Sequence, residues 1–184
     1  MRPRVVLALL YVVIAWGLNT VLVKLVLGQI DPLAFMALRF VVMPPLALAM
    51  VRLAGERIRV ERRDLPLLIA AGACGYGVYQ YFWMLGLAHT TAFASALLGS
   101  LAPVFTLILL AALKLERVGA LRWMGAGVAL LGVAIFEGAF AGHAAVRLGD
   151  ILTLVAALIF AGYNVLSARL LVRYSPLVLV TITM

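Results

Sequence analysis

Residues 5–27 read VVLALLYVVIAWGLNTVLVKLVL, an apolar run whose one charge, Lys24, comes near its end. Inside it, Trp16-Gly17-Leu18-Asn19 sets an amide and a small residue among Val, Leu and Ile. A hydrocarbon layer about 30 Å thick takes roughly 20 apolar residues to cross as a helix, so the run is long enough to span it. An Asn near its middle must then find its hydrogen-bond partner within the protein, because lipid offers none.

The rest of the chain repeats this texture. Of 184 residues, 66% are hydrophobic and 12% charged, more apolar surface than a water-soluble core of this size can hide. The expected fold class is all-α, a polytopic bundle of transmembrane helices. Six complete spans are expected over 5–27, 32–53, 65–87, 92–113, 118–136 and 148–168, with a partial seventh from 176. Asp31-Pro32 and Ser175-Pro176 each read as an N-cap followed by proline at the first helical position. Pro44-Pro45 predicts a kink in span two, and Pro103 falls mid-span in span four. The segment 88–91 is short enough to demand an antiparallel hairpin between spans three and four. Arg2 and Arg4 ahead of span one outline a signal peptide, but the run is too long and lacks a small-x-small cleavage pattern, so it is read as a retained helix.

The formal charge of +8 does not point to nucleic acid, since the basic residues sit in short loops between apolar segments. With the N-terminus cytoplasmic, twelve of the fifteen Lys and Arg residues fall on the inside, leaving Lys24, Arg39 and Arg147 for the membrane or the far side. Cys74 stands alone in an apolar segment, and His89 and His143 have no metal-ligand spacing around them. No catalytic constellation, metal site or cofactor motif is expected, and Gly75-Tyr76-Gly77 and Gly125-Ala126-Gly127 lack the setting of a nucleotide fingerprint. All seven acidic residues lie at span ends or in loops, so proton coupling through a membrane-embedded carboxylate has no support here.

The opening block has an echo. Ala161-Gly162-Tyr163-Asn164 with Arg169 repeats the spacing of Trp16-Gly17-Leu18-Asn19 with Lys24, and one deletion brings Pro32 onto Pro176. Five spans separate the copies, so the second copy enters the membrane from the opposite side. This is an inverted-topology repeat, the signature of alternating-access transporters. Domain limits are expected at 1–140 for a first repeat and 148–184 for an incomplete second one.

The ordered set of features resembles the EamA-like family of the drug/metabolite transporter superfamily. The set comprises Trp16-Gly17-x-Asn19, Arg39-Phe40, Thr90-Thr91-Ala92 through Ser95-Ala96 and Pro103-Val104-Phe105 to Glu116-Arg117, Gly125 to Gly132, and Gly149-Asp150. The resemblance implies two five-helix repeats that export or import small metabolites through a central cavity, and export of amino acids or related compounds is the expected role. It also implies a bacterial-type plasma (inner) membrane. One full repeat and the first helix of a second are expected here. That makes the chain either a piece of a longer protein or a unit that pairs with a second copy or with C-terminal helices.

Several side chains are candidates for substrate contact, each with a structural alternative. In span four, Thr91, Ser95, Gly99, Ala102 and Thr106 share one narrow face, which is either a packing seam or a cavity wall, and Pro103 frees a carbonyl beside it. In span three, Tyr76, Tyr79, Gln80 and Trp83 recur at i, i+3, i+4 and i+7, either an aromatic belt or a lining. Trp16, Asn19 and Thr20 share a face of span one, and Phe160, Tyr163, Asn164 and Ser167 a face of span six; their amides serve either helix packing or substrate. Arg39, about two turns into span two, is the charged candidate, while Lys24 and Arg169 are expected to snorkel to headgroups. The lipid bilayer and a small-molecule substrate are thus the expected partners. A secondary transporter leads over a non-transporting assembly subunit, and a membrane-embedded lipid enzyme would need polar catalytic residues the sequence lacks.

Overall fold

Helices form wherever the apolar runs predict them, with ends set by local chemistry. The computed structural model describes residues 3–136 and 147–184; most of the loop expected before span six, His143 and Arg2 lie outside the described residues. The elements are α1 (Pro3–Leu27), α2 (Pro32–Leu53), α3 (Leu65–Gly72), α4 (Tyr79–His89), α5 (Ala92–Gly99), α6 (Ala102–Ala112), α7 (Ala120–Phe136), α8 (Leu148–Leu170) and α9 (Pro176–Thr183). No strand occurs among the described residues. Val5–Leu27, Pro32–Leu53, Ala92–Ala112 and Leu148–Leu170 are long and apolar enough to cross a membrane, and Ala120–Phe136 is apolar but shorter.

The caps follow their predicted chemistry. Asp31 Oδ1 accepts from the Leu33 and Ala34 amides at 2.9 and 3.2 Å, and Ser175 Oγ accepts from Val178 N at 3.2 Å. Thr91 caps α5 through Ala94 N at 3.1 Å, after an extended Thr90 that turns the α4–α5 hairpin. α2 stays helical across Pro44-Pro45, whereas a π turn at Ala73–Val78 joins α3 to α4 and a break at Ser100-Leu101 splits span four. Pro103 sits at the second position of α6, so the carbonyl of Gly99 has no amide four residues on.

α8 is the centre of the bundle. It packs on α3, the π turn, α4, α5 and α6, and buries Gly149, Thr153, Ala156, Ala157 and Ala161. In lipid there is no water to drive helices together, so they associate by close van der Waals approach, which small residues permit. Gly86 of α4 shows how close that approach is: a Cβ there would stand 2.6 Å from Thr153 Oγ1 and 2.9 Å from Thr153 N. A Cβ on Gly149 would meet the backbone of His89 and Gly86 at 2.5–2.6 Å. α4 and α8 therefore run antiparallel with touching backbones at one end.

Each end of the bundle is closed by polar chemistry. Beside the α4–α8 contact, Lys24 Nζ donates to the carbonyls of Leu87 and Ala88 at 2.6 and 3.0 Å, capping the negative end of α4 rather than snorkelling. There too, buried Asp150 accepts from the Thr90 hydroxyl and from the Arg147 amide at 2.9 Å. At the opposite end, buried Asp64 accepts from Arg173 Nη1 at 2.5 Å and from the Tyr174 hydroxyl at 2.9 Å. Glu61 N donates to the same phenol oxygen, and Ser175 bonds Glu56. The Glu61 amide alone would lower the Tyr174 pKa, but burial and the hydrogen bond and charge of Asp64 outweigh it and raise the phenol above its ordinary value. Val51, Leu68, Leu170, Val178 and Leu179 pack beneath this cluster, anchoring α9 to α2, α3 and α8.

Two outcomes follow from the packing. Gly86→Ala drives a methyl into the Thr153 backbone and should destabilise the protein by about 2 kcal/mol, read as a lower unfolding temperature in detergent. Gly127→Ala on α7, where an added Cβ meets nothing within 4 Å, should leave that temperature unchanged; equal behaviour of the two variants would refute the touching-backbone account. Arg173→Leu strips buried Asp64 of its cation and should cost about 2 kcal/mol, discounted because the arginine is partly exposed. Denaturant unfolding of this variant indistinguishable from wild type would remove the cluster from the account of that end.

Candidate functional site

Between the two closed ends the helices separate around a cavity of about 530 Å³. Its walls come from α1 (Tyr11, Val12, Ala15, Trp16, Asn19), α2 (Arg39, Met43), the π turn and α4 (Gly75, Tyr76, Tyr79, Gln80, Trp83), α8 (Phe160, Tyr163) and the final turn (Val180, Met184). Tyr11 and Trp16 remain exposed, so the cavity opens along α1.

Local sequence explains the geometry. α8 is small-faced near Gly149 but carries Phe160 and Tyr163 at mid-length, where bulky rings hold the neighbouring helices apart. Gly75 lets the Tyr163 ring lie against the π turn, since a Cβ there would stand 2.4 Å from the ring. The rings then interlock: Tyr76 and Tyr163 are T-shaped at 5.9 Å, Phe160 and Tyr163 stack at 5.6 Å, and Tyr79 and Phe160 lie 4.7 Å apart. Trp16 of the first sequence block meets Phe160, beside the second block, edge-on at 6.4 Å.

A second cavity of about 400 Å³ shares Val12, Trp16, Tyr79, Trp83 and Phe160 with the first and is closed by Thr20, Ser95, Ala96, Gly99, Ser100, Ala102, Pro103, Thr153 and Ala157, with Val13 and Gly17. The aromatic cluster is thus a partition between two chambers. Of the sequence-nominated residues, Trp16, Asn19, Arg39, Tyr76, Tyr79, Gln80, Trp83 and Tyr163 come together in the larger chamber, while Ser95, Gly99 and Pro103 line the smaller one. Asn164 lies apart from both. Its amide donates to Thr106 Oγ1 at 3.4 Å in a crevice between α6, α7 and α8, so the two Asn residues of the repeated block have different surroundings.

Four buried side-chain atoms lack a hydrogen-bond partner among the described residues: Arg39 Nη1, Gln80 Oε1, Ser95 Oγ and Ser167 Oγ. The first three belong to residues that line a chamber. No acidic residue lines either one, and no cluster of His, Cys, Asp and Glu capable of holding a metal occurs among the described residues. Sequence reasoning missed Tyr11 and Ala15, although both stand at four-residue steps before Asn19, and it set Phe160 on the right face without nominating it.

The profile of the EamA-like transporter family matches residues 3–137. The chain is 33% identical over 180 residues to an uncharacterized transporter of Archaeoglobus fulgidus, covering 97% of this chain and 62% of that protein. A probable terminal-alkyne amino-acid exporter of Streptantibioticus cattleyicolor is 34% identical over 119 residues, covering 65% of this chain and 40% of the exporter. An uncharacterized transporter of Bacillus subtilis is 27% identical over 123 residues, covering 67% and 40%. The chain therefore spans less than two thirds of each of these relatives, and no solved structure matches it. With the family profile running from α1 through α7 and 97% of this chain aligned to the archaeal relative, the chain belongs to the EamA-like transporter family.

Proposed function

We propose that this chain is part or all of a secondary transporter that exports small polar or amphipathic metabolites, amino acids and related compounds among them. The observation that carries the reading is the larger chamber, where eight side chains nominated from sequence alone meet at mid-bundle between two polar-capped ends. A chamber of mostly apolar and aromatic walls with a few fixed polar groups is what a small-molecule site requires. The relative named as an amino-acid exporter supports the substrate class.

In this reading the repeats at 1–140 and 148–184 rock against each other, opening the chamber to one side and then the other. The N-terminus lies in the cytoplasm of a bacterial-type cell, as the loop arginines favour. The bonds at Lys24 and Asp150 on one end, and at Asp64 and Tyr174 on the other, are the contacts that alternate between made and broken. A second reading, a membrane subunit that carries no flux by itself, draws on the shallow seating of α1, of which 6% of the apolar window is buried. It predicts flux only when further helices are supplied.

Counterflow of a radiolabelled amino-acid mixture in proteoliposomes tests the leading reading. Asn19→Leu and Gln80→Leu each remove a polar group from the chamber wall and should lower flux by about tenfold, the value of one or two lost hydrogen bonds. Wild-type rates in both variants would sink the chamber as the transport site.

A further inference from the structure

Arg39 is the one basic side chain in either chamber, and it is unbalanced. It lies seven residues after Pro32, about 10 Å inside α2, where a charge facing hydrocarbon is costly. It makes no salt bridge among the described residues, and its Nη1 is buried without an acceptor. The Phe35 ring, 5.9 Å from the guanidinium carbon, gives only a cation–π contact. Gln80 lines the same chamber, and its Oε1 is buried without a donor. Arg39 and Gln80 both border a small void between α2 and α4, yet no hydrogen bond joins them. A planar cation and an amide, each with one buried atom left unpartnered, thus line the same space.

Resting on the transport reading, we propose that the larger chamber selects monocarboxylates: the carboxylate is held by Arg39, a neighbouring hydroxyl or N–H is held by Gln80, and an apolar or aromatic group lies among Tyr79, Trp83, Phe160 and Tyr163. A guanidinium matches a carboxylate through two parallel N–H donors, and low dielectric around it strengthens the pair. With no acidic side chain in the wall, a ligand ammonium finds no side-chain counter-ion and meets the Arg39 charge instead. The aromatic walls alone would suit an organic cation, and Arg39 decides against it. Selectivity therefore depends on the acid group and not on an amine.

The test uses three probes that share one ring: phenyllactate, its neutral amide, and phenethylamine. Trp16 and Trp83 line the chamber and Trp123 does not, so intrinsic tryptophan fluorescence of the full chain in nanodiscs at neutral pH reports occupancy. Phenyllactate should bind about tenfold more tightly than its amide, with phenethylamine weakest. Arg39→Gln should bring the anion-to-amide ratio to about one, while Arg39→Lys, which keeps the charge without the planar fork, should retain part of it. Circular dichroism checks that both variants keep wild-type helicity; if Arg39→Gln unfolds, the Arg39→Lys ratio and the wild-type probe order decide. Absence of phenyllactate binding, equal affinity for all three probes, preference for the amine, or an unchanged ratio in Arg39→Gln overturns the proposal. Carboxylate binding through Arg39 without proteoliposome flux would sink the transport reading and leave this site standing. Flux indifferent to Arg39 and to the acid group would do the reverse.

Discussion

The backbone contact between Gly86 of α4 and Gly149 and Thr153 of α8 is the constraint on which the rest depends. In a bilayer, lipid solvates apolar side chains as well as protein does, so what holds helices together is contact that lipid cannot match. α8 supplies it with a small face at one end, then changes character to Phe160 and Tyr163 at mid-length. The same helix therefore seals the bundle where it is small and opens it where it is large. The chamber is the consequence of that change along one element.

Polar groups are partitioned in the same way. At the ends they are mutually satisfied: Lys24 on the last carbonyls of α4, Asp150 with Thr90, and Asp64 between Arg173 and Tyr174. At mid-bundle Arg39, Gln80 and Ser95, which line the chambers, each hold a buried polar atom without a partner. An unpaired buried group costs more than a hydrogen bond contributes, so a protein keeps one where something else is to complete it. That contrast between satisfied ends and unsatisfied middle ties the fold to the proposed handling of a small solute.

Much of the helical layout was legible in sequence, because apolar run length and N-cap chemistry are local. Asp31-Pro32 and Ser175-Pro176 start helices as their spacing predicts, and Tyr76, Tyr79, Gln80 and Trp83 all line the larger chamber. What stayed hidden depends on neighbours. The π turn at Ala73–Val78 and the break at Ser100-Leu101 shift helical register, which a fixed 3.6-residue period does not anticipate. The proline pair in α2 passed without a break, whereas Pro103 accompanied one. Lys24 reads as a headgroup anchor until the carbonyls of α4 come within reach, and Asn164 reads as the twin of Asn19 until Thr106 takes its amide. The central place of α8 was illegible too, since small residues look alike whether they face lipid or another backbone.

Whether the proposed solute chamber is open to water inside the bundle is read directly by thiol accessibility. Cys74 is the single native cysteine, so a Cys74→Ala background leaves one engineered thiol to follow. Asn19→Cys, on the chamber wall, and Val128→Cys, on the exposed face of α7, are compared for reaction with a charged, membrane-impermeant methanethiosulfonate in intact proteoliposomes. The account predicts that Asn19→Cys reacts while Val128→Cys, facing lipid, stays unmodified. An inert Asn19→Cys, or two thiols that react alike, would contradict it.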